Sequence, residues 1–289
     1  LNDSKFNVVG VISNPAKRMK RSKDVSLTSI GTLAKSLNLN LFTPNDLSSP
    51  ITHDWIKSLK PDMLVIVAFK ILPASIISIP KLGAVNLHAS LLPKYRGAAP
   101  IQHAIMNGDL FTGNTTFLIE PKVDTGNVIL QQRVDIEKND NFLTLSKRMS
   151  ESGAELLIES LDRAKNPMFE PKVQDDSEVT YAPKIHKSFG RIEWRDQSKF
   201  IHLKIKAISF SPGTFTTFNR KRLKIFNSKL TSEKSQNDPG TVICMNEKIL
   251  VSCLDFYLEL IEVQLEGKKK MSALDWFRGR NEEFGFKFD

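Results

Sequence analysis

The sequence predicts an α/β protein with a doubly wound, mostly parallel sheet, followed by a second, β-rich domain. Up to residue 164, short apolar runs alternate with amphipathic helical patterns, as in strands joined by crossover helices. The run Met63 to Ala68 is nearly continuously apolar, which is expected of a parallel strand covered on both faces. Beyond residue 187 several short strands separated by turns replace this alternation and indicate a small barrel or sandwich.

The elements of the first domain follow from apolar periodicity and turn residues. We predict strands at residues 8–12, 63–68, 84–88, 115–119 and 128–136, helices at residues 26–37, 100–107 and 143–164, and a short helix after Pro73. Proline near the start and Gly108 after the end delimit the helix at residues 100–107. The polar, non-periodic segment 167–187 predicts a linker between domains at residues 1–166 and 188–289.

The second domain is predicted from short alternating strands and one capping motif. The strands are expected at residues 214–218, 223–226, 241–245, 249–253 and 257–263. Ser272 and Asp275 stand at the spacing of a capping box and predict a short helix near the end of the chain.

Composition predicts a soluble globular protein. The chain of 289 residues is 40% hydrophobic and 25% charged, and no apolar run approaches the length that crosses a membrane. Cys244 and Cys253 lack metal-ligand spacing and are expected to be inert thiols in a reducing compartment. From Lys184 onward, 20 Lys and Arg face 13 Asp and Glu, so this part carries +7 of the net +9. Such asymmetry favours a surface that faces nucleic acid, with a solvated basic surface as the alternative.

Three polar residues form the candidate site. Asn86 and His88 are two apart at the end of a predicted strand, so they lie on one face. Asp124 follows the next predicted strand in a Val-Asp-Thr-Gly loop and offers a carboxylate that can pair with the imidazole. An amide donor, an imidazole and a carboxylate suit a site that polarises a carbonyl and moves a proton. The competing interpretation is that Asn86 caps a turn and His88 is a satisfied core residue.

Residues 84–97 together with Asp124 resemble the folate-dependent formyltransferases, whose Asn-x-His-x-Ser-Leu-Leu-Pro segment and later Asp carry the reaction. The resemblance implies that Asn86, His88 and Asp124 are catalytic and that the backbone of Ser90, Leu91, Leu92 and Pro93 lines a folate pocket. It also implies the formyltransferase fold with an OB-like C-terminal barrel, 10-formyltetrahydrofolate as donor co-substrate, and no metal. The fold of this family begins one strand and one helix earlier, so we expect a central strand upstream of Leu1.

Within the family, the chain is most similar to the members that act on initiator methionyl-tRNA. Basic side chains can neutralise phosphates, and the resemblance implies that the loop around Lys17 to Lys23 inserts at the acceptor end of the tRNA. The expected tRNA-binding residues are Lys17, Arg18, Lys20 and Arg21, with a second footprint from Arg220, Lys221, Arg222, Lys268, Lys269 and Lys270. A solvated surface remains the alternative for both regions.

The expected function is transfer of a formyl group to the free amino group of methionyl initiator tRNA, for translation initiation. A monomer without membrane contact is expected, in bacterial cytoplasm or alternatively in an organelle matrix. Two other functions stay open. One is formylation of a small amine, such as glycinamide ribonucleotide or an amino sugar nucleotide, and the other is a non-catalytic tRNA-binding remnant.

Overall fold

The computed structural model describes residues 1–2, 4–18, 25–279 and 286–288. The chain forms two compact units whose segments alternate along the sequence. The first unit contains residues 1–93, 114–132 and 150–179, and the second contains residues 94–113, 133–149 and 180–289. The sequence favours two consecutive domains, at residues 1–166 and 188–289, and this division stays a prediction.

The described residues form short strands, one long helix and several shorter helices. The strands are β1 (Val11–Ile12), β2 (Lys17–Arg18), β3 (Val25–Ser26), β4 (Leu41–Phe42), β5 (Leu64–Val67), β6 (Ala84–His88), β7 (Phe111–Leu118), β8 (Val128–Asp135), β9 (Thr214–Phe218), β10 (Lys221–Lys234), β11 (Thr241–Met245), β12 (Lys248–Ser252), β13 (Phe256–Leu265), β14 (Met271–Ser272) and β15 (Phe286–Lys287). The helices are α1 (Ser29–Ser36), α2 (Pro50–Ser58), α3 (Ala74–Ile77), α4 (Pro100–Asn107), α5 (Phe142–Ala164), α6 (Ser198–Ile208) and α7 (Ala273–Arg278), with 3-10 turns at Asp176–Glu178 and Lys187–Gly190. None of the helices described here has the length and apolar composition needed to cross a membrane.

A four-stranded sheet has the order β5, β6, β7, β8, and residues 114–118 of β7 and 128–132 of β8 belong to the first unit with β5 and β6. Strand β6 runs parallel to β5 and antiparallel to β7. Val85 of β6 is fully buried and belongs to a cluster with Leu157 and Leu161 of α5. Burial of one such side chain contributes about 1.5 to 3 kcal/mol, so this packing holds β6 firmly between its neighbours.

A cavity separates this sheet from a two-stranded parallel sheet of β1 and β4 within the first unit. The cavity measures about 1020 Å³, and both β1 and β5 line it. Among the described residues, β1 pairs only with β4 and β5 only with β6. The prediction that residues 63–68 are covered on both faces is wrong, because these residues line the cavity: Leu64 to Ile66 are half-buried and Val67 is 52% exposed. The strand predicted at residues 8–12 is likewise shortened to its paired residues Val11–Ile12.

The second unit contains an antiparallel sheet in the order β15, β11, β12, β13, β10, β9, with β14 added beside β13. Its two edge strands meet through their aromatic rings, because Phe218 of β9 lies 4.8 Å from Phe286 of β15 between ring centroids. The sheet is therefore curled around its core. Leu223, Ile225, Val251, Leu258 and Val263 are completely buried in that core.

Two helices were not predicted, although their sequence signals are present. Helix α2 begins after Ser49, whose hydroxyl accepts a hydrogen bond from the Thr52 N–H at 3.3 Å, and Pro50 occupies the first helical position. Helix α6 buries residues at spacings of four and three, which is the helical period. The buried apolar residues at that spacing are Ile201, Ile205 and Ile208.

Candidate active site

Strand β6 places Asn86 and His88 at the same end of the sheet. Asn86 pairs with Ile66 of β5 and with Phe117 of β7, and His88 pairs with Thr115 of β7. His88 is buried at 7% exposure, and Asn86 is half-buried. Among the described residues, the Asn86 side chain has no hydrogen-bond partner. Its amide can therefore donate to a bound ligand.

His88 and Asp124 meet although they come from different elements. The His88 Nδ1 lies 3.8 Å from the Asp124 Oδ2, and their side chains are 7% and 12% exposed. This distance exceeds a hydrogen bond but is within the range of a charge contact. The expected pairing of imidazole and carboxylate is thus present in a site that is largely shielded from water, where electrostatic interactions are stronger than in bulk solvent.

The loop that carries Asp124 packs closely against the end of β7, because Gly126 has no side chain to keep the two segments apart. Asp124 has a φ of +55°, a left-handed conformation that Asp tolerates better than most residues. The Thr125 hydroxyl donates to the Lys122 carbonyl at 3.2 Å. A Cβ at Gly126 would lie 1.6 Å from the Leu118 carbonyl oxygen, so only glycine fits there. The Asp-Thr-Gly turn is consequently held against the end of β7.

A buried hydrogen-bond network holds the segment Ser90 to Pro93. The Thr115 hydroxyl donates to the Ser90 carbonyl at 2.6 Å and accepts the Leu92 N–H at 3.1 Å. The Gln131 amide donates to the Leu92 carbonyl at 2.7 Å and to the Thr115 hydroxyl at 3.0 Å. Ser90 and Leu92 are buried, while Leu91 and Pro93 are half-buried. These hydrogen bonds hold the main chain of the segment against β7 and β8.

Six exposed basic residues meet at one end of the sheet in the second unit. The turn that carries Arg220, Lys221 and Arg222 lies beside the turn before Lys268, because Leu223 pairs with Leu265 in the ladder. The Glu266 N–H donates to the Arg222 carbonyl at 2.9 Å, and the Arg222 N–H donates to the Glu266 carboxylate at 3.2 Å. The structure thus brings together the basic residues predicted there, which are Arg220, Lys221, Arg222, Lys268, Lys269 and Lys270.

One acidic residue and two aromatic rings modify this basic surface. The Arg222 guanidinium stacks 4.0 Å from the Phe215 ring centroid. The Lys270 ammonium pairs with Glu262 at 2.7 Å. Lys270 also lies 4.6 Å from the Phe226 ring, so aromatic faces accompany the charges.

Two of the other basic residues, Lys17 and Arg18, lie in a short two-stranded sheet in the first unit. The main chain of Lys17 and Arg18 forms β2, which pairs antiparallel with β3. Lys20 and Arg21 lie outside the described residues, as do the side chains of Lys17 and Arg18.

Three residues that the sequence analysis did not single out hold the Ser90 to Pro93 segment and the Asp124 loop in place. Thr115 and Gln131 hold the Ser90 to Pro93 segment, and Gln174 contacts the Asp124 loop. Thr115 and Gln131 lie in strands that the sequence predicted, but no local signal named their partners. Across the described residues, no group of three or more His, Cys, Asp or Glu side chains is arranged to hold a metal ion. The absence of a metal cofactor stays a prediction.

Comparison with known proteins shows the class to which this fold and site belong. The family model for formyl transferase matches residues 1–161, and that for the formyl transferase C-terminal domain matches residues 184–281. The chain belongs to the formyl transferase family, as residues 84–97 and Asp124 predicted.

Its relatives narrow this class to methionyl-tRNA formyltransferases. The methionyl-tRNA formyltransferase of Caldicellulosiruptor saccharolyticus is 40% identical over 286 residues, covering 96% of this chain and 91% of the relative. That of Clostridioides difficile is 37% identical over 285 residues, covering 98% of this chain and 92% of the relative. These matches favour the tRNA branch of the family over the small-amine and non-catalytic alternatives.

Solved structures support the fold. The methionyl-tRNA formyltransferase of Clostridium thermocellum has a TM-score of 0.55 at 18% identity, covering 70% of this chain and 88% of that structure. WlaRD, a sugar 3N-formyl transferase, has a TM-score of 0.64 at 22% identity, covering 90% of this chain and 88% of that structure. HypX from Aquifex aeolicus, solved with tetrahydrofolic acid, has a TM-score of 0.64 at 18% identity over 87% of this chain and 47% of that structure. The predicted α/β formyltransferase fold with a β-rich C-terminal domain is confirmed.

Proposed function

We propose that this chain transfers the formyl group of 10-formyltetrahydrofolate to the free amino group of methionyl initiator tRNA. The observation that carries the proposal is the near full-length likeness, through both family domains, to relatives that are methionyl-tRNA formyltransferases. The meeting of His88 with Asp124 beside the half-buried Asn86 supports it, because formyl transfer needs hydrogen-bond donors and a proton acceptor.

The reaction proceeds by direct attack of the amine on the formyl carbon. The amine nitrogen forms a bond to that carbon, and the carbonyl oxygen becomes an oxyanion. The Asn86 amide and the His88 ring donate hydrogen bonds to this oxyanion, where each well-placed donor contributes about 3 to 4 kcal/mol to the transition state. Asp124 orients His88 through its contact at 3.8 Å.

Collapse of the tetrahedral intermediate completes the transfer. The attacking nitrogen loses one proton, which passes to Asp124 directly or through water. The bond between the formyl carbon and the folate nitrogen breaks, and that nitrogen takes up one proton. The products are formylmethionyl-tRNA and tetrahydrofolate, and no covalent enzyme intermediate is needed.

The binding surfaces are assigned by chemistry. The main chain of Ser90, Leu91, Leu92 and Pro93 is proposed to contact the folate, since its hydrogen-bonded and rigid backbone suits recognition of the ring edge. The exposed basic residues at positions 220–222 and 268–270 are proposed to contact tRNA phosphates. The Lys and Arg residues at positions 17, 18, 20 and 21 are proposed to do the same.

An assay with four possible acceptors tests the proposal. Purified protein is incubated with 10-formyltetrahydrofolate and, separately, with methionyl initiator tRNA, methionyl elongator tRNA, glycinamide ribonucleotide or an amino sugar nucleotide. Formylation of the initiator tRNA at the highest kcat/KM is expected. Preferential formylation of either small amine would overturn the proposal, and so would binding of tRNA without any formyl transfer.

The oligomeric state and compartment stay predictions. We expect a monomer in the cytoplasm of a bacterium, with an organelle matrix as the alternative. Light scattering coupled to size exclusion would decide the first point, and a dimer mass would contradict it.

A further inference from the structure

Gln174 contacts the loop that carries Asp124. Its side-chain amide nitrogen lies 3.0 Å from the Asp124 carbonyl oxygen and 2.8 Å from the Gly126 carbonyl oxygen. Gln174 is half-buried in a stretch that the sequence predicted to be only a linker. A single amide group has two N–H donors, so it can satisfy both carbonyls at once.

The segment around Gln174 is anchored to the same sheet as the loop. The main chain of Lys172 donates to the Val128 carbonyl at 2.8 Å and accepts the Val128 N–H at 2.7 Å. The Asp175 carboxylate accepts the Ser177 N–H at 2.9 Å and ends the segment in a 3-10 turn. Gln174 therefore extends from a fixed backbone rather than from a mobile surface loop.

Holding these two carbonyls sets the direction of the Asp124 carboxylate. The carbonyls of Asp124 and Gly126 belong to the peptide planes 124–125 and 126–127, so the two contacts span the turn. Asp124 is in a left-handed conformation that a free loop adopts rarely. Gly126 is already pressed against Leu118. With both planes held, little freedom remains in the backbone from which Asp124 reaches His88 at 3.8 Å.

We infer that Gln174 is a positioning residue for formyl transfer, holding the Asp124 loop in the conformation that presents its carboxylate to His88. This inference rests on the proposed function, because it gives Asp124 a role in the reaction. Both of these contacts of Gln174 are with main-chain carbonyls of the loop, so its effect on catalysis passes through Asp124.

Kinetics of Gln174 variants test the inference in the full chain. Gln174→Ala is expected to lower kcat on the order of ten-fold to a hundred-fold while KM for 10-formyltetrahydrofolate changes less than about two-fold. Gln174→Glu should be at least as impaired, because a carboxylate cannot donate to two carbonyls. Gln236→Ala, at an exposed glutamine of the second unit, is the matched control and should keep full activity.

A double-mutant comparison separates positioning from general stability. In the Asp124→Ala background, Gln174→Ala should cost less than about two-fold further in kcat, because the group that it positions is gone. An equal loss in both backgrounds would overturn the inference in favour of a structural role. A Gln174→Ala enzyme with wild-type kcat would also overturn it while leaving the proposed function intact.

Hydrogen exchange gives a readout independent of activity. Amide exchange at Thr125 and Gly126 should be at least about ten-fold faster in Gln174→Ala than in wild type, since the loop loses two hydrogen bonds. Unchanged exchange at these amides would overturn the inference, whatever the activity of the protein. A wild-type protein that formylated none of the acceptors would overturn the proposed function.

Discussion

At the scale of single residues, the site combines a rigid strand with a loop. His88 sits in β6 between two paired strands, whereas Asp124 depends on a left-handed turn and on glycine two residues later. Electrostatic catalysis is strongest when donors are preorganised, because no energy is then spent on orienting them during the reaction. The buried position of His88 and the compact turn of Asp124 meet that requirement.

Removing the polar groups of the site should reduce turnover. Asn86→Ala, His88→Ala and Asp124→Ala are each expected to lower kcat by a factor of about a hundred or more with little change in folate affinity, since these groups act mainly on the transition state. Steady-state kinetics and folate titration measure the two effects. The losses of kcat in the three variants should be non-additive when the substitutions are combined. The control is His53→Ala, at a more exposed histidine. Wild-type turnover in His88→Ala and Asp124→Ala would exclude this mechanism.

A second residue-scale prediction concerns stability at acid pH. Burial, with a contribution from nearby Lys206, lowers the pKa of His202 from 6.5 to about 4. In the unfolded chain the imidazole regains its ordinary pKa, so between about pH 6.5 and 4 the unfolded state binds a proton that the folded state does not. The free energy of unfolding should therefore fall as the pH drops through this window, by about 3 kcal/mol from this residue at most.

Urea unfolding at pH 7 and at pH 4.5 measures this contribution. His202→Gln should lose distinctly less stability between the two pH values than wild type, because its side chain does not titrate. His53→Gln, which removes a more exposed histidine, should behave as wild type. Equal pH dependence in wild type and His202→Gln would contradict the assignment.

At the scale of elements, the two adjacent turns of the second unit determine how charge is displayed. The long strand β10 pairs with both β9 and β13, so the turn at its start and the turn after β13 emerge at the same end of the sheet. Arg222 is supported by Phe215, which stiffens one of the turns. A cluster of cations on adjacent rigid turns suits the regularly spaced phosphates of a nucleic acid helix.

Neutralising these turns should weaken tRNA binding in a salt-dependent way. The triple variant Arg220→Gln, Lys221→Gln, Arg222→Gln is expected to raise KM for tRNA and to flatten the slope of log affinity against log salt by up to about 2 to 3 units, since each lost phosphate contact contributes about 0.9. Affinity measured from 50 to 300 mM salt tests this. The control is a second triple variant, Lys229→Gln, Lys234→Gln, Lys248→Gln. It removes as many charges from exposed positions elsewhere on the same sheet and should keep the slope.

The basic residues at positions 17, 18, 20 and 21 are tested in the same way. Alanine at Lys17, Arg18, Lys20 and Arg21 together should raise KM for tRNA and flatten the salt slope, with folate binding unaffected. An unchanged slope would mean that these residues form only a solvated surface.

At the scale of the whole molecule, the cavity of about 1020 Å³ in the first unit departs from a close-packed interior. Strands β1 and β5 line it. Among the described residues, each of these strands pairs with a neighbouring strand along one edge only. Val67 and Val9, which also line it, are 52% and 38% exposed. Apolar surface of this kind in a folded protein binds small apolar molecules.

The 289-residue chain should accordingly bind an apolar fluorescent dye under native conditions. Val67→Lys should lower the dye signal, because it places a charge at the cavity wall, whereas Ile71→Lys should not, because Ile71 is 77% exposed and does not line the cavity. Dye titration at constant protein concentration measures both. Absence of dye binding, or equal signals from the two variants, would contradict the prediction.

The sequence by itself determined those features that depend on neighbours along the chain. The period of two in residues 84–88 predicted strand β6 with Asn86 and His88 on one face, and the proline and glycine around residues 100–108 delimited α4. The missed helix α6 carries the same kind of local signal and was predictable from its spacing. Only the tertiary structure decided that Gln174 holds the Asp124 loop and that β5 is left half-buried beside a cavity. Periodicity reports which way a side chain faces, whereas contacts between distant segments depend on how loops close and on which surfaces pack, and no local pattern contains that information.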